Sequence, residues 1–217
     1  MLNKLELTRH YPYIPGQTLT LLLKDGQAMD VSVMSVFEPF TLSCVALVHS
    51  GSPPFEGLYV VKLYDRCFAT DLREQESIPI WTTDFEAEYS QFIRRDCAPE
   101  FFDLCTKVFR EALDWADEEQ IEAWDKGRQE AYLQCLCRQV YNTESYACDL
   151  LHDIQGIHVP RLFARVFLQT SDKPNEDLDC PGFLLEFING FQLANLAENA
   201  ARILGSAFAR MPLRLYT

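Results

Sequence analysis

The chain has few of the signatures by which enzyme chemistry is read from sequence. It contains no Gly-x-x-x-x-Gly-Lys-[Ser/Thr] phosphate loop, no His-Glu-x-x-His and no Gly-x-Ser-x-Gly. Its four histidines, His10, His49, His152 and His158, are scattered, and nothing selects a Cys–His pair. Positive charge is scarce. Nineteen Lys and Arg against 32 Asp and Glu leave a formal charge of -13, which argues against a nucleic-acid-binding surface. No apolar run is long enough to cross a bilayer. The opening Met1-Leu2-Asn3-Lys4-Leu5-Glu6 turns polar too early for a secretory leader. Eight cysteines occur without a Cys-x-x-Cys pair, so they are expected to be reduced, buried and intracellular, in cytoplasm or nucleus. Cys135 and Cys137 form a lone Cys-x-Cys. Cys148 and His152 are four apart on an expected helix, a spacing that allows shared metal ligation, although core packing accounts for them better. No metal site and no catalytic residue is assigned.

What is present is a core. The hydrophobic fraction of 48% and 15 phenylalanines fit a folded globule. Alternation predicts strands at Val31–Phe37 and Leu162–Gln169, continuous apolar runs predict buried strands at Leu58–Tyr64 and Phe183–Ile188, and Thr18–Lys24 and Leu42–Val48 read as two more. Asp25-Gly26 marks a hairpin turn between the first two. The first sixty-odd residues therefore read as an antiparallel meander. Apolar residues at helical spacing predict a helix over Asp84–Arg95, another opening at Pro99-Glu100, and the strongest over Ala131–Ile154, closed by Gly156. The acidic stretch Asp114–Glu130 reads as a solvated helical surface or an insertion. Leu193–Ala209 is a further expected helix.

Two charges are out of place. Lys62 lies in the apolar run Leu58-Tyr59-Val60-Val61-Lys62-Leu63-Tyr64 and shares a face with Val60 and Tyr64. Glu144 lies among Cys137, Val140, Tyr141, Ala147, Cys148 and Leu151, which fall on one side of the long helix. Each has an ordinary explanation: the lysine snorkels to water, and the glutamate curls to a groove edge. Pairing the two across a packed strand and helix accounts for both at once.

Three segments carry a resemblance to a known family. They are Val60-Val61-Lys62-Leu63-Tyr64-Asp65-Arg66, then Glu144 to Pro160 with its Gln155-Gly156-Ile157-x-Val159-Pro160 ending, then Leu184-Leu185-Glu186-Phe187-Ile188-Asn189-Gly190 followed by Leu193. In this order they resemble the N-terminal lobe of the protein-kinase-like fold, most closely its divergent fungal group. The resemblance implies an α+β fold: an antiparallel five-stranded sheet with a packed helix of the αC type. It also implies a helical insertion at about 84–130 and a C-terminal helical tail at about 191–217, all in one domain spanning 1–217. It gives Lys62 the phosphate-contacting role and Glu144 the role of holding it. Val60 would roof the adenine, Leu185 would stand at the back of the cleft, and Glu186 and Ile188 would offer backbone groups to the adenine edge. The implied ligand is ATP, without a protein-held magnesium.

The chain departs from that pattern in two places. Phe37-Glu38-Pro39-Phe40-Thr41-Leu42-Ser43, where a phosphate-covering loop belongs, has no glycine. Residues 180–217 contain no aspartate, whereas phosphoryl transfer in this template uses two beyond the linker. The expectation is a catalytically incomplete lobe, a truncated pseudokinase or scaffold module, that binds a protein partner or a second copy of itself. The alternatives are an ATP-dependent phosphotransferase completed by a missing lobe, and an unrelated small α+β interaction protein in which Lys62–Glu144 is structural.

Overall fold

A computed structural model describes residues 13–95, 98–111, 121, 123–169 and 179–190. The chain divides into two compact units, Met1–Phe187 and Ile188–Thr217. Every described helix and strand lies in the first. The tail predicted at 191–217 lies outside the described residues.

Six strands form the scaffold: β1 (Thr18–Leu23), β2 (Ala28–Val36), β3 (Cys44–Ser50), β4 (Gly57–Leu63), β5 (Leu162–Leu168) and β6 (Cys180–Glu186). All neighbours are antiparallel, and the order β1-β2-β3-β4-β6-β5 closes on itself. This overturns the expected five-stranded sheet with a packed helix of the αC type, because the sheet is a six-stranded closed barrel. The cause is β1. It pairs with β2 along one edge, Leu19 opposite Val31, and with β5 along the other, Leu21 opposite Leu168 and Leu23 opposite Val166. A strand that satisfies both open edges leaves no unpaired backbone row. Register shifts between Val33 and Ser35 in β2, and between Leu162 and Ala164 in β5, supply local bending.

The strand period of two sends one set of side chains inward. Leu19, Leu21, Val31, Val33, Ala46, Val48, Val61, Leu63, Val166 and Leu184 are buried together inside the barrel. Tyr13, Phe40 and Phe68 pack edge-on around one another against this core, with ring centroids 5.6–6.2 Å apart. Phe40 comes from the β2–β3 loop that the family resemblance assigned to covering phosphate. That loop spends Phe40 on the core.

The described helices are α1 (Thr70–Gln75), α2 (Thr83–Ile93), α3 (Ala98–Glu111) and α4 (Lys126–Leu150), followed by a 3-10 turn at His152–Ile154. Helix α4 begins five residues earlier than the apolar spacing predicts because Asp125 caps it, its carboxylate accepting from the Arg128 N–H at 2.8 Å. Its end at Leu150 leaves His152 in the 3-10 turn, so Cys148 and His152 do not share a helix face as expected. The first turns of α4 are not a wet surface either. Gly127, Gln129 and Glu130 are buried. The span 84–130, expected as an insertion, holds α2, α3 and the buried start of α4, with 96–97, 112–120 and 122 outside the described residues.

Against the outside of the barrel α4 builds a second core, with Leu133 and Cys137 meeting Tyr64, Leu72, Ile78 and Phe183. Burial, with the Asp65 charge adding to it, pushes the Cys137 thiol up to about 12, so it is protonated and inert at neutral pH. Helix α2 crosses α4 at Gly127, where a Cβ would stand 2.7 Å from the Glu88 carbonyl oxygen. Backbone cannot yield as a flexible side chain can. Gly127→Ala is expected to lower the unfolding free energy by about 1–3 kcal/mol. Gly51→Ala, at a position with open space around it, should change it by less than about 0.5 kcal/mol. Urea unfolding of the two variants beside the parent chain checks both values.

Candidate functional site

Even-numbered positions of β4 point outward. Val60 and Lys62 are half-buried on this face, between buried Tyr59, Val61 and Leu63 on the other. Val60 stands opposite Leu47 of β3 and Leu185 of β6, and Lys62 opposite Val45 and Phe183. Directly opposed residues share a face. The outside of β3–β4–β6 therefore presents Val45, Leu47, Val60 and Leu185, all half-buried, beside the Lys62 ammonium. Burial grades along it, from fully buried Phe183 and Tyr64 at one end to exposed Leu58 at the other.

Lys62 and Glu144 meet. The ammonium donates to Glu144 Oε2 at 2.6 Å, with the two side chains 26% and 33% exposed. The Tyr64 hydroxyl donates to the same oxygen, and the lysine nitrogen lies 5.4 Å from the Tyr64 ring centroid. Burial first, and then the bond to Glu144, push the Tyr64 phenol far above its ordinary range, so it remains a donor. An ammonium has three N–H donors, and Glu144 occupies one. The pair is open enough for a second anion to reach the lysine.

Glu144 is aimed by its neighbours. Arg165 of β5 donates from Nε to Ser145 Oγ at 2.7 Å and from Nη2 to Asp149 Oδ1 at 2.6 Å. This clamp holds the C-terminal half of α4 to the barrel. The N-terminal half is held by a buried charge cluster. Glu130, 0% exposed, accepts from Arg66 at 2.5 Å and from Arg73 at 2.7 Å. Arg66 also pairs with Glu86 at 2.5 Å and lies 4.0 Å over the Tyr89 ring.

Of the six residues the resemblance singled out, four share one face: Val60, Lys62, Leu185 and, reaching it from α4, Glu144. Glu186 lies at the end of β6 and is committed to the chain itself. Its carboxylate accepts from the Arg161 N–H at 3.0 Å, and its own N–H donates to the Arg161 carbonyl at 2.8 Å. Ile188 belongs to the second unit and is exposed. Sequence reasoning missed Tyr64 as a partner of Glu144, although it lies two positions beyond Lys62 on the same face. It also missed Arg165 and the cluster around Glu130.

No family model matches the chain, and no curated protein or solved structure matches it. None of these comparisons links the chain to a kinase-like fold. Among the described residues, no group of three or more His, Cys, Asp or Glu is arranged to hold a metal ion. No helix among them is long and apolar enough to cross a membrane.

The two ion-pair sites should respond differently to truncation. Glu130→Ala leaves two arginines short of a counter-charge in the interior and is expected to cost about 3–5 kcal/mol. Glu144→Ala breaks a pair that water reaches and removes the acceptor of the Tyr64 hydroxyl, and should cost about 1–2 kcal/mol. Denaturant unfolding of both variants measures the difference. Equal costs would mean that Glu144 is as deeply committed to the core as Glu130.

Proposed function

We propose that this chain is a catalytically incomplete binding module of the protein-kinase-like kind, which takes a planar, anion-bearing ligand such as ATP on the outer β3–β4–β6 face. The observation that carries this is the Lys62–Glu144 pair at 2.6 Å, part-exposed and flanked by half-buried Val60 and Leu185. An apolar face bordered by one lysine matches an aromatic ring that carries phosphate: the ring lies on Val60 and Leu185, and Lys62 meets the charge. Glu144 keeps the lysine extended toward the ligand. Glu186 and Ile188 are not part of the proposed site, because the Glu186 N–H is spent on the Arg161 carbonyl at 2.8 Å and Ile188 belongs to the second unit. One departure supports the non-catalytic part: the loop 37–43 has no glycine and gives Phe40 to the core. A half-covered apolar face also suits a protein surface, so a partner chain or a second copy is part of the proposal.

One observation favours a second reading, in which the pair is structural in an unrelated small α+β interaction protein. Tyr64 and Lys62 both bind the same carboxylate oxygen, an arrangement that also serves to tie helix to strand.

Thermal unfolding separates the two. A ligand at a hundredfold excess over its Kd stabilises the native state by about 2.7 kcal/mol, and for a chain of this size each kcal/mol raises Tm by about 2–4 °C. The expected outcome is a rise of several degrees with ATP, with or without magnesium, that vanishes in Lys62→Ala. No rise in the parent chain, or an equal rise in the variant, would leave the structural reading.

A further inference from the structure

A concavity lies away from Lys62. It has a volume of about 630 Å³ and opens between α3, α4 and the adjoining ends of β5 and β6, and none of the six residues discussed above lines it. Clefts of roughly 300–1,000 Å³ are the size that small molecules occupy. Four aromatic side chains from three elements wall it: Phe102 and Phe109 of α3, Tyr141 of α4 and Phe167 of β5. Phe167 faces outward because Val166 and Leu168 on either side of it point into the barrel core.

The polar groups define what fits. Gln139 and Asn142 line the cleft from exposed positions on α4, and their side-chain amides make no hydrogen bond among the described residues. Each offers a donor and an acceptor. Thr106 and Thr143 donate their hydroxyl protons back to their own helices, to the Phe102 and Gln139 carbonyls, both at 2.9 Å, and so present acceptors. Among the described residues the lining holds one cation, Arg138, and one carboxylate, Asp179, so neither sign of charge predominates there.

We propose that this cleft binds a neutral, planar heteroaromatic molecule with an amide-type donor–acceptor edge, its faces against the aromatic walls and its edge on Gln139 and Asn142. The claim is independent of a ligand at Lys62. Aromatic walls supply most of the contact area and tolerate many rings, while paired amides reject a ring that cannot hydrogen-bond, because the amides would lose water without replacement.

Ligand-observed NMR titration of the full chain tests this with three probes of nearly equal size: quinolin-2-one, which carries the lactam edge; naphthalene, which lacks it; and naphthalene-2-carboxylate, which replaces it with a charge. Quinolin-2-one should saturate with a dissociation constant of about 1 mM or below, the range expected for so small a ligand. The other two should bind at least about fivefold more weakly, the loss of one neutral hydrogen bond. Asn142→Trp, which places a ring in the mouth from an exposed helical position, should weaken quinolin-2-one by tenfold or more. Gln139→Ala should weaken quinolin-2-one but leave naphthalene unchanged, and Lys62→Ala should alter neither. Circular dichroism confirms that each variant is folded. The proposal is overturned if quinolin-2-one does not saturate, if naphthalene or the carboxylate binds as well, or if the two α4 variants bind it like the parent chain. Loss of binding in Lys62→Ala would also overturn it, since the probe would then be seated on the other face.

Discussion

Glu130 is a carboxylate with no access to water, and the position of α4 depends on meeting that charge. Arg66 stands just past the end of β4 and Arg73 on α1, so their bonds to Glu130 fix the start of α4 to the exit of that strand. Breaking such a cluster is costly because the survivors are left charged in the interior. Glu144 lies fourteen positions further along the same helix. At about 1.5 Å and 100° per residue this is roughly 21 Å along the axis and within about 40° of the same face. The anchored helix thus returns a second carboxylate to the same strand, at Lys62. An ion pair exposed to solvent is worth about 1 kcal/mol at most and could not hold a 25-residue helix by itself. The scaffold positions the pair, and the pair is left free to interact with something else.

Barrel closure has a similar effect on the other side of the sheet. With β1 paired on both edges, the interior face is sealed and filled, and Tyr13, Phe40 and Phe68 pack against it as an aromatic cluster. The ring of Tyr13 is tied down through its hydroxyl, which donates to Asp65 at 2.7 Å, and Asp65 also accepts from the Cys67 N–H at 2.9 Å. Asp65 and Arg66 thus link the end of β4 to both cores. Lys62, three positions before Asp65, faces outward where neither the barrel interior nor the buried cluster needs it. The strand carries its functional candidate on the face that the barrel interior does not use.

Much of this was legible in the residues. All six strands were legible: alternation marks strands such as Val31–Phe37, because a strand with one buried face places apolar side chains at every second position, and continuous apolar runs mark β4 and β6, the latter buried on both faces along most of its length. Closure does not follow from alternation. Leu21 and Leu168 are adjacent in space and distant in sequence, and nothing local in either strand specifies the partner, so a five-stranded sheet borrowed from a resemblance was compatible with the same pattern. The Lys62–Glu144 pair was legible because each charge interrupts an apolar periodicity. Glu130 escaped notice because it ends an acidic stretch and was grouped with it. Yet Leu133 and Cys137 follow it at three and seven positions, both buried, so the helical spacing that exposes Glu144 applies to Glu130 as well. Tyr64 and Arg165 carry no such signal, since a tyrosine or an arginine in a strand raises no conflict until its partner is placed.

The central claim is that the outer face of β3–β4–β6, bordered by Lys62, seats a planar anionic ligand. Methyl NMR of the chain labelled at valine and leucine, titrated with ATP, tests it at the atoms concerned. The account predicts saturable shifts concentrated at Val60, Leu185, Val45 and Leu47, with the barrel-interior methyls of Val31 and Val48 unmoved. Shifts absent from Val60 and Leu185 at millimolar nucleotide, or confined to methyls elsewhere, would contradict it.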